Sequence, residues 1–333
     1  MISKYRSILI TGGTGSFGRE FVRRVIKVHK NLKKLIIFSR DEWKQNEMSK
    51  EYSSQKLPFI RYFLGDVRDF ERVKRAFNGV DLVIHAAALK QVPAAEYNPI
   101  EFIKTNIVGA QNIIEAAIEQ NVKKVIALST DKAAAPLNLY GATKLCSDKL
   151  FIAANNYSGK NIFSVCRYGN VMGTRGSVIP LFIEQSKSGY VTLTDKNMTR
   201  FNITLNESID LVLYAIKNSL GKEIFVPKIP SYKLVDLAKA INQKIKFKII
   251  GIRPGEKMHE EMITADDSIN TITNKKYFFI LPTMDNKELK KYLSHFKAKK
   301  LSKVFSYNSK ENNKFLSINE LRNLVKKNLQ INN

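Results

Sequence analysis

Through its first 170 residues the chain alternates two hydrophobic rhythms. Short, nearly continuous apolar runs occur at "SILIT", "KLIIFS", "FIRYFLGD", "DLVIHAA", "KKVIALST" and "IFSVCRYGN". Between them lie segments of helical length. In "FGREFVRRVIKV" the residues Phe17, Phe21 and Val25 recur at i, i+4 and i+8. In "PIEFIKTNIVGAQNIIEAAIEQ" one face carries Ile103, Ile107, Ala110 and Ile114. Strand–helix alternation of this kind predicts an α/β fold, a Rossmann-type doubly wound parallel sheet with both faces covered. Ligands then bind at the carboxyl ends of the strands. The opening "MISKYRSILITGG" moves from a basic patch into an apolar run too short for a secretory signal, and is expected to form the first strand.

Beyond residue 170 the alternation loosens. "MGTRGSVIPLFIEQ", "YVTLTD", "EIFVPKIPSYKLVDLAKAI" and "FKIIGIRPGEKMHEEMI" suggest a smaller mixed α/β lobe. The expected division is residues 1–170 for a dinucleotide-binding domain carrying the reactive groups, and 171–333 for a substrate-binding lobe. The lobe ends in a helix announced by Ser317-x-x-Glu320, a capping-box signature.

Composition changes this picture little. No apolar run reaches the roughly eighteen residues that a membrane span needs, so no membrane insertion is expected. The formal net charge is +25. Its lysines are spread along the chain, with "FKAKKLSKVF" the densest cluster, which fits a solvated basic face better than a nucleic-acid site. A positive surface also suits an anionic, nucleotide-linked substrate. Cys146 and Cys166 form no spaced motif and are expected to be small hydrophobes in a reducing, cytoplasmic setting. No His/Cys/Asp cluster has metal-ligand spacing, so no metal is expected.

The chemistry is concentrated at the strand ends. "LITGGTGSFGRE" places Gly12, Gly15 and Gly18, with Thr14, Ser16 and Phe17 between and beside them, where the first strand gives way to the first helix. Glycines there permit a tight turn and close approach of a dinucleotide pyrophosphate to the helix N-terminus. The second strand ends at Ser39 and Arg40, with Lys44 one turn later. Asp41 comes too late to be the usual ribose acid and is expected to start a helix. This arrangement favours NADP, because an Arg accommodates the 2′-phosphate. Asp66 and Val67 of "GDVRD" end the third strand, where an adenine edge would lie. Ala86 follows His85 at the end of the fourth strand, and His85 is expected to be a packed, hydrogen-bonded residue.

"STDKAAAPLNLYGATK" sets Tyr140 and Lys144 one helical turn apart. A free tyrosine, with pKa about 10, is a poor base at neutral pH. An ammonium and a nicotinamide cation nearby would stabilise its phenolate, so that Tyr140 takes a hydroxyl proton as hydride leaves the adjoining carbon. Upstream of this helix stand Asp131 and Lys132, side by side. Taken alone, such a pair is also an ordinary ion pair closing a strand.

Together "TGGTGSFG", "FSRDE", "GDVRD", "HAAALK", "EYNP", "STDKA", "NLYGATKLCSDK", "RYGNV", "MTRF", "EIFVPKIPS" and "IGIRPGEKMHE" resemble the extended short-chain dehydrogenase/reductases. Within these the chain is most similar to the inverting UDP-N-acetylglucosamine 4,6-dehydratases that begin pseudaminic acid synthesis. The resemblance spans nearly the whole chain. It implies a recycled NADP⁺, oxidation at C4, loss of water across C5 and C6, and return of hydride to C6. The implied product is UDP-2-acetamido-2,6-dideoxy-β-L-arabino-hexos-4-ulose, and a homo-oligomer is implied as well. Where the wider group reads Thr-Asp-Glu, this chain has Thr130-Asp131-Lys132, as in the inverting subgroup. The resemblance assigns Asp131 as the acid at C6 and Lys132 as the base at C5, with Thr130 beside them. Passing one proton from the ammonium to the carboxylate would prepare both, and a dry site favours that neutral pair.

The same resemblance places Asn170, Val171, Thr199, Arg200, Arg253 and Glu256 around the UDP-sugar, Lys90 between both ligands, and Arg175 near the cofactor. Gln91, Ala135 and Asn202 stand where His, Asn and Trp are usual. Competing readings are a C5-retaining nucleotide-sugar dehydratase, a dehydratase/epimerase of capsule or O-antigen synthesis, and an NADP-bound regulatory protein without turnover.

Overall fold

Each of the six apolar runs becomes a strand: β1 (Ser7–Thr11), β2 (Lys34–Ser39), β3 (Ile60–Leu64), β4 (Leu82–His85), β5 (Lys124–Thr130) and β6 (Ile162–Tyr168). The structure is a computed structural model that describes residues 2–173 and 178–331. Every residue of β1 is buried, as is all of β2 except Lys34, which explains runs without polar alternation. Later in the chain come β7 (Tyr190–Leu193), β8 (Thr199–Phe201), β9 (Ile224–Pro227), β10 (Ser231–Lys233), β11 (Lys246–Ile249) and β12 (Glu261–Ile263). The last four strands are β13 (Thr271–Thr273), β14 (Tyr277–Ile280), β15 (Lys299–Lys300) and β16 (Tyr307–Asn308).

One sheet has ten strands in the order β15-β13-β14-β9-β6-β5-β4-β1-β2-β3. From β3 to β9 every neighbouring pair is parallel. β14, β13 and β15 extend it antiparallel. Strand order reverses at β1, between β2 and β4, which opens the crevice where α/β sheets bind ligands. Thr11 Oγ1 and His85 Nδ1 lie 2.9 Å apart and tie the ends of β1 and β4 together. His85 is thus a packed histidine, and burial, then the Lys144 ammonium, push its pKa down to about 3.

The other strands pair in twos: β8 with β10, β7 with β11, β12 with β16. A second apolar cluster, including Ile179, Phe182, Val191, Leu237 and Leu321, packs apart from the main one. The final helix, Ile318–Ile331, begins with the anticipated box: Ser317 N–H donates to Glu320 Oε2 at 2.8 Å, and Glu320 N–H to Ser317 Oγ at 3.3 Å. Cys166 is buried as expected, whereas Cys146 is exposed on the helix that carries Tyr140.

The long segment after β4 departs from a single regular helix. It runs as Pro99–Ile103 in α form, one π turn over Lys104–Val108, then α form again over Gly109–Glu119. The inserted residue rotates the buried face, so Phe102, Thr105 and Asn106 point inward and Ile103 and Ile107 are only half-buried. The π turn aims Asn106 at the loop after β4. Its Oδ1 accepts from Leu89 N–H, and its Nδ2 donates to Leu89 O and to Thr143 Oγ1, at 2.9, 2.9 and 3.0 Å. Periodicity alone cannot signal that extra residue.

Arg167 of β6 is buried and ties the sheet to the segment from Met262 to Asp267. Its Nη1 donates to Met262 O and Asp267 Oδ2, and its Nη2 to Asp148 Oδ2, at 3.0, 3.2 and 3.2 Å. Replacing one member of a buried pair strands the other charge. Arg167→Met is therefore expected to lower stability by about 3–5 kcal/mol, read from urea-denaturation midpoints. A change under about 1 kcal/mol would place the pair in the class of inert surface bridges.

Candidate active site

The first turn of the site follows β1. Gly12 has φ +65°, and a Cβ on it would lie 2.9 Å from Ala87 N. A Cβ on Gly18 would lie 2.4 Å from Gly13 O, so the helix Ser16–Val28 rests directly on the turn. Its N-cap, Gly15, supplies no side-chain hydrogen bond, which leaves first-turn N–H groups open to an anion. This cradle fits a dinucleotide pyrophosphate. Thr14 Oγ1 pairs with Ser39 Oγ at 2.9 Å, joining the turn to the end of β2. Ser16 and Phe17 form the first turn of that helix, with Phe17 stacked on Phe21. Ala86 N–H donates to Thr11 Oγ1 at 3.2 Å.

Past β2, Asp41 caps the helix Glu42–Glu51, accepting from Lys44 N–H at 2.9 Å and pairing with the Lys44 ammonium. The acid after β2 is thereby engaged. Lys44 was expected to face the cofactor, but its ammonium is turned to Asp41 instead. Arg40 is exposed, its Nη1 3.7 Å from Asp66 Oδ2. Burial pushes Asp66 up, but hydrogen bonds from Arg68 and the charge of Arg40 outweigh it and hold the carboxyl below its ordinary range. Val67 is buried against Gly109, where a Cβ would meet it at 2.8 Å. A cavity of about 430 Å³ lined by Arg40, Leu89, Lys90, Gln91, Glu101 and Phe102 continues from here. Arg175 lies outside the described residues.

β5 delivers the reactive segment. Thr130 ends it, a 3₁₀ turn follows over Asp131–Ala133, and the helix Leu139–Ala154 begins after Asn138, whose Oδ1 accepts from Gly141 N–H. Between them Ala135 has φ +43°, a left-handed conformation costly for alanine and tolerated by the Asn usual at this point. A Cβ on Gly141 would lie 2.3 Å from Lys132 O. Only glycine lets the Tyr140 helix sit on the Asp131–Lys132 backbone.

Tyr140 and Lys144 are buried on this helix, and Lys144 Nζ donates to Leu128 O at 2.8 Å. Burial lowers the Lys144 pKa, against the pull of Asp148. Burial also pushes Tyr140 up to about 12, although Lys132 and a Thr130 hydrogen bond act against it. The protein's own groups therefore leave Tyr140 above its ordinary range, and the expected acidification calls for the nicotinamide cation as well as Lys144.

Lys132 is the centre of the site. Its Nζ lies 3.1 Å from Asp131 Oδ1, 3.0 Å from Glu260 Oε1 and 3.3 Å from Asn170 Oδ1. Asp131 has no exposed side-chain surface, whereas the Lys132 side chain is 20% exposed, so the carboxylate is the deeper of the two. Thr130 Oγ1 donates to Asp131 Oδ1 at 2.9 Å. A proton leaving Asp131 can pass by that hydroxyl or by the amine.

The charge state corrects the neutral pair expected from burial. Burial alone would push Lys132 down, but Asp131 and Glu260 outweigh it and hold the amine above the ordinary lysine range. Burial, and then Glu260, push Asp131 up despite Lys132. Glu260 goes the other way: Lys132 and Arg200 overcome its burial and hold it below the ordinary carboxylate range. The resting site holds an ammonium, with Asp131 the carboxylate readier to take its proton.

Glu260 and Lys257 carry no sequence signal of their own. Both lie in "RPGEKMHEE", beside Arg253 and Glu256, and only tertiary pairing reveals which carboxylate reaches Lys132. Lys257 Nζ donates to Ala134 O at 2.7 Å, and burial lowers its pKa despite Glu260 and Asp131.

The residues expected around a UDP-sugar divide. Asn170 meets Lys132 as given, and Val171 forms a β-bridge with Ile203 beside it. Lys90 has its pKa lowered by burial and by the Lys132 charge. Arg200 is buried, its Nη1 donating to Thr199 O at 2.7 Å and its Nη2 facing Glu256 Oε1 at 3.5 Å. Arg253 is exposed. Thr199 does not present its side chain: its Oγ1 is engaged with His259 Nδ1 and Ser309 Oγ at 2.8 and 2.7 Å, in the interior. Gln91 precedes the helix Val92–Tyr97 without capping it, and Asn202 is buried.

The sequence profile of a family described as "Polysaccharide biosynthesis protein" matches residues 8–282. A Campylobacter jejuni protein named UDP-N-acetylglucosamine 4,6-dehydratase (inverting) is 50% identical over 329 residues, 96% of this chain and 97% of that protein. A Rickettsia akari protein named UDP-glucose 4-epimerase is 43% identical over 331 residues, 96% and 95% of the two chains. The X-ray structure of Pen from Bacillus thuringiensis superposes with a TM-score of 0.87 at 39% identity, covering 99% of each chain. DesIV, the dTDP-glucose 4,6-dehydratase of Streptomyces venezuelae solved with NAD, shares the fold with a TM-score of 0.68 at 22% identity, over 76% and 86% of the two chains.

Proposed function

The chain belongs to the polysaccharide biosynthesis protein family, and on that premise we propose that it dehydrates UDP-N-acetylglucosamine across C5 and C6, inverting C5. The observation that carries this reading is Lys132 Nζ lying 3.1 Å from buried Asp131, beside the Tyr140 helix. A 4-epimerase needs a base for the C4 hydroxyl and a hydride acceptor, and nothing to move protons at C5 and C6. A base and an acid adjoining the redox tyrosine fit elimination.

The bound nicotinamide dinucleotide supplies a hydride acceptor and donor, and NADP is the form favoured by Ser39 and Arg40 with Asp41 already engaged. Gly12, Gly15 and the open helix N-terminus would hold its pyrophosphate. With an oxidised nicotinamide beside it and the Lys144 ammonium one helical turn away, Tyr140 would be held as the phenolate and take the proton of the C4 hydroxyl. The ketone at C4 then acidifies C5–H. Lys132, having passed a proton to Asp131, takes the C5 proton. Asp131 returns its proton, by way of Thr130, to the C6 oxygen, which leaves as water; the hydride taken from C4 would then return to C6, and C5 would gain a solvent-derived proton on the face opposite the one that lost it, which inverts C5. Asn170 fixes the Lys132 amine, and the family resemblance assigns Arg253 and Glu256 to the nucleotide end of the substrate. Among the described residues no helix is long and apolar enough to cross a membrane.

Two measurements follow. Incubation with UDP-N-acetylglucosamine in D₂O is expected to give, by NMR, a 4-keto-6-deoxy sugar with deuterium at an inverted C5 and no net reduction of the cofactor. A product epimerised at C4 with C5 unlabelled would replace this reading with the epimerase one. Arg40→Ala is expected to weaken NADP⁺ binding by about 1.5–3 kcal/mol and NAD⁺ much less. Equal weakening in a calorimetric titration would remove Arg40 from the 2′-phosphate.

A further inference from the structure

We infer that Glu260 is a positioning residue for proton transfer at C5, a carboxylate from the C-terminal lobe that fixes Lys132 Nζ and, backed by Arg200, balances its charge. The inference rests on the dehydratase reading above. Glu260 Oε1 is 3.0 Å from Lys132 Nζ and 3.6 Å from Arg200 Nε. Its Oε2 is buried without a hydrogen-bond partner, as is Asp131 Oδ2. Unpartnered buried carboxylate oxygens are costly, so their retention at one amine needs a reason.

The backbone holds Glu260 firmly. Its N–H donates to Ser309 Oγ at 2.9 Å, and Ser309 N–H donates to Glu260 O at 2.7 Å. The same stretch docks on the reactive segment twice more, through Asn138 Nδ2 to Gly255 O at 2.8 Å and Lys257 Nζ to Ala134 O. The lobe therefore reaches the base, its loop and the N-terminus of the Tyr140 helix together. Besides Glu260, the charged and titratable groups acting on Lys132 and its partners are Asp131, Arg200, Lys257, Lys90, Tyr140 and Tyr232.

A primary ammonium has three N–H donors and no lone pair. Asp131 and Asn170 each accept a hydrogen bond from Lys132, and Glu260 forms an ion pair with it at 3.0 Å, so the amine is held from three sides. When one proton passes to Asp131, the Asp131–Lys132 pair becomes neutral and Glu260–Arg200 remains as a complete ion pair. The lone pair freed on Nζ takes the C5 proton. The C5–H electrons form the C5–C6 double bond, and the C6 oxygen departs with the Asp131 proton as water. Without Glu260, Arg200 keeps only Glu256, on its far nitrogen at 3.5 Å, its Nε charge toward the pair is no longer balanced, and Nζ loses one anchor.

The test compares wild type, Glu260→Gln and Glu260→Asp as full chains loaded with NADP⁺, given UDP-N-acetylglucosamine in D₂O, with melting curves to confirm folding. In single turnovers Glu260→Gln is expected to keep C4 hydride transfer close to wild type, while C5 exchange and elimination fall about 10–100-fold. Its elimination should also decline at lower pH than in wild type, because losing the neighbouring anion lets the ammonium shed its proton sooner. Glu260→Asp keeps the charge at a shorter reach. It should slow elimination yet retain the wild-type pH profile, and it serves if the glutamine variant does not fold. Unchanged elimination and pH profile in Glu260→Gln, or equal losses in both steps, would overturn the inference while leaving the dehydratase reading intact. If wild type itself neither exchanges C5 nor forms the 4-keto sugar, both fall.

Discussion

An ammonium confined between two buried carboxylates is the constraint around which this site is built. One carboxylate, Asp131, follows β5 directly in the chain; the other, Glu260, arrives from residues far along the sequence. Removing any one charge from such a group leaves the others uncompensated in a poorly solvated place, at a cost of several kcal/mol. The fold answers with Arg200 behind Glu260 and Lys257 close by, so anions and cations offset one another. The same balance gives chemistry. Asp131 is biased toward holding a proton and Glu260 toward losing one, so the shared proton has one favoured destination.

The large sheet makes that cluster possible. Parallel strands end together, and the carboxyl ends of β1, β2, β4 and β5 bring the glycine turn, Ser39, the loop after β4 and the Thr130–Lys132 segment to one edge. Small adjustments then set distances. The π turn sends Asn106 to hold Leu89, next to Lys90, and Gly141 lets the Tyr140 helix settle on the backbone of Lys132. The strained Ala135 joins the two, held in place by Lys257 through Ala134 O.

Much of this was legible in the chain. Strands buried on both faces leave continuous apolar runs, so β1, β2, β4, β5 and β6 could be read directly; β3, an edge strand with only Ile60 buried, still showed as an apolar run, and the glycine turn, the cap at Asp41 and the box at Ser317 were legible too. What escaped has physical reasons. The π turn adds one residue without changing composition, so the face expected at Ile103 and Ile107 is displaced toward Phe102 and Asn106. Pairing across many residues leaves no local mark, which hid Glu260 and turned Thr199 inward to His259 and Ser309. The charge of Lys132 depended on that missing partner, so burial alone gave the wrong protonation state.

In the proposed mechanism Lys132 acts only after a ketone exists at C4. The direct measurement is a single turnover of Lys132→Ala with bound NADP⁺ and UDP-N-acetylglucosamine in D₂O, following cofactor absorbance and the C5 signal together. The predicted result is reduced cofactor that forms and persists on the enzyme, with C5 exchange and product release slowed by about 10²–10⁴-fold. Near-normal product with deuterium at C5 would contradict the account and leave Lys132 as a structural partner of Asp131 and Glu260.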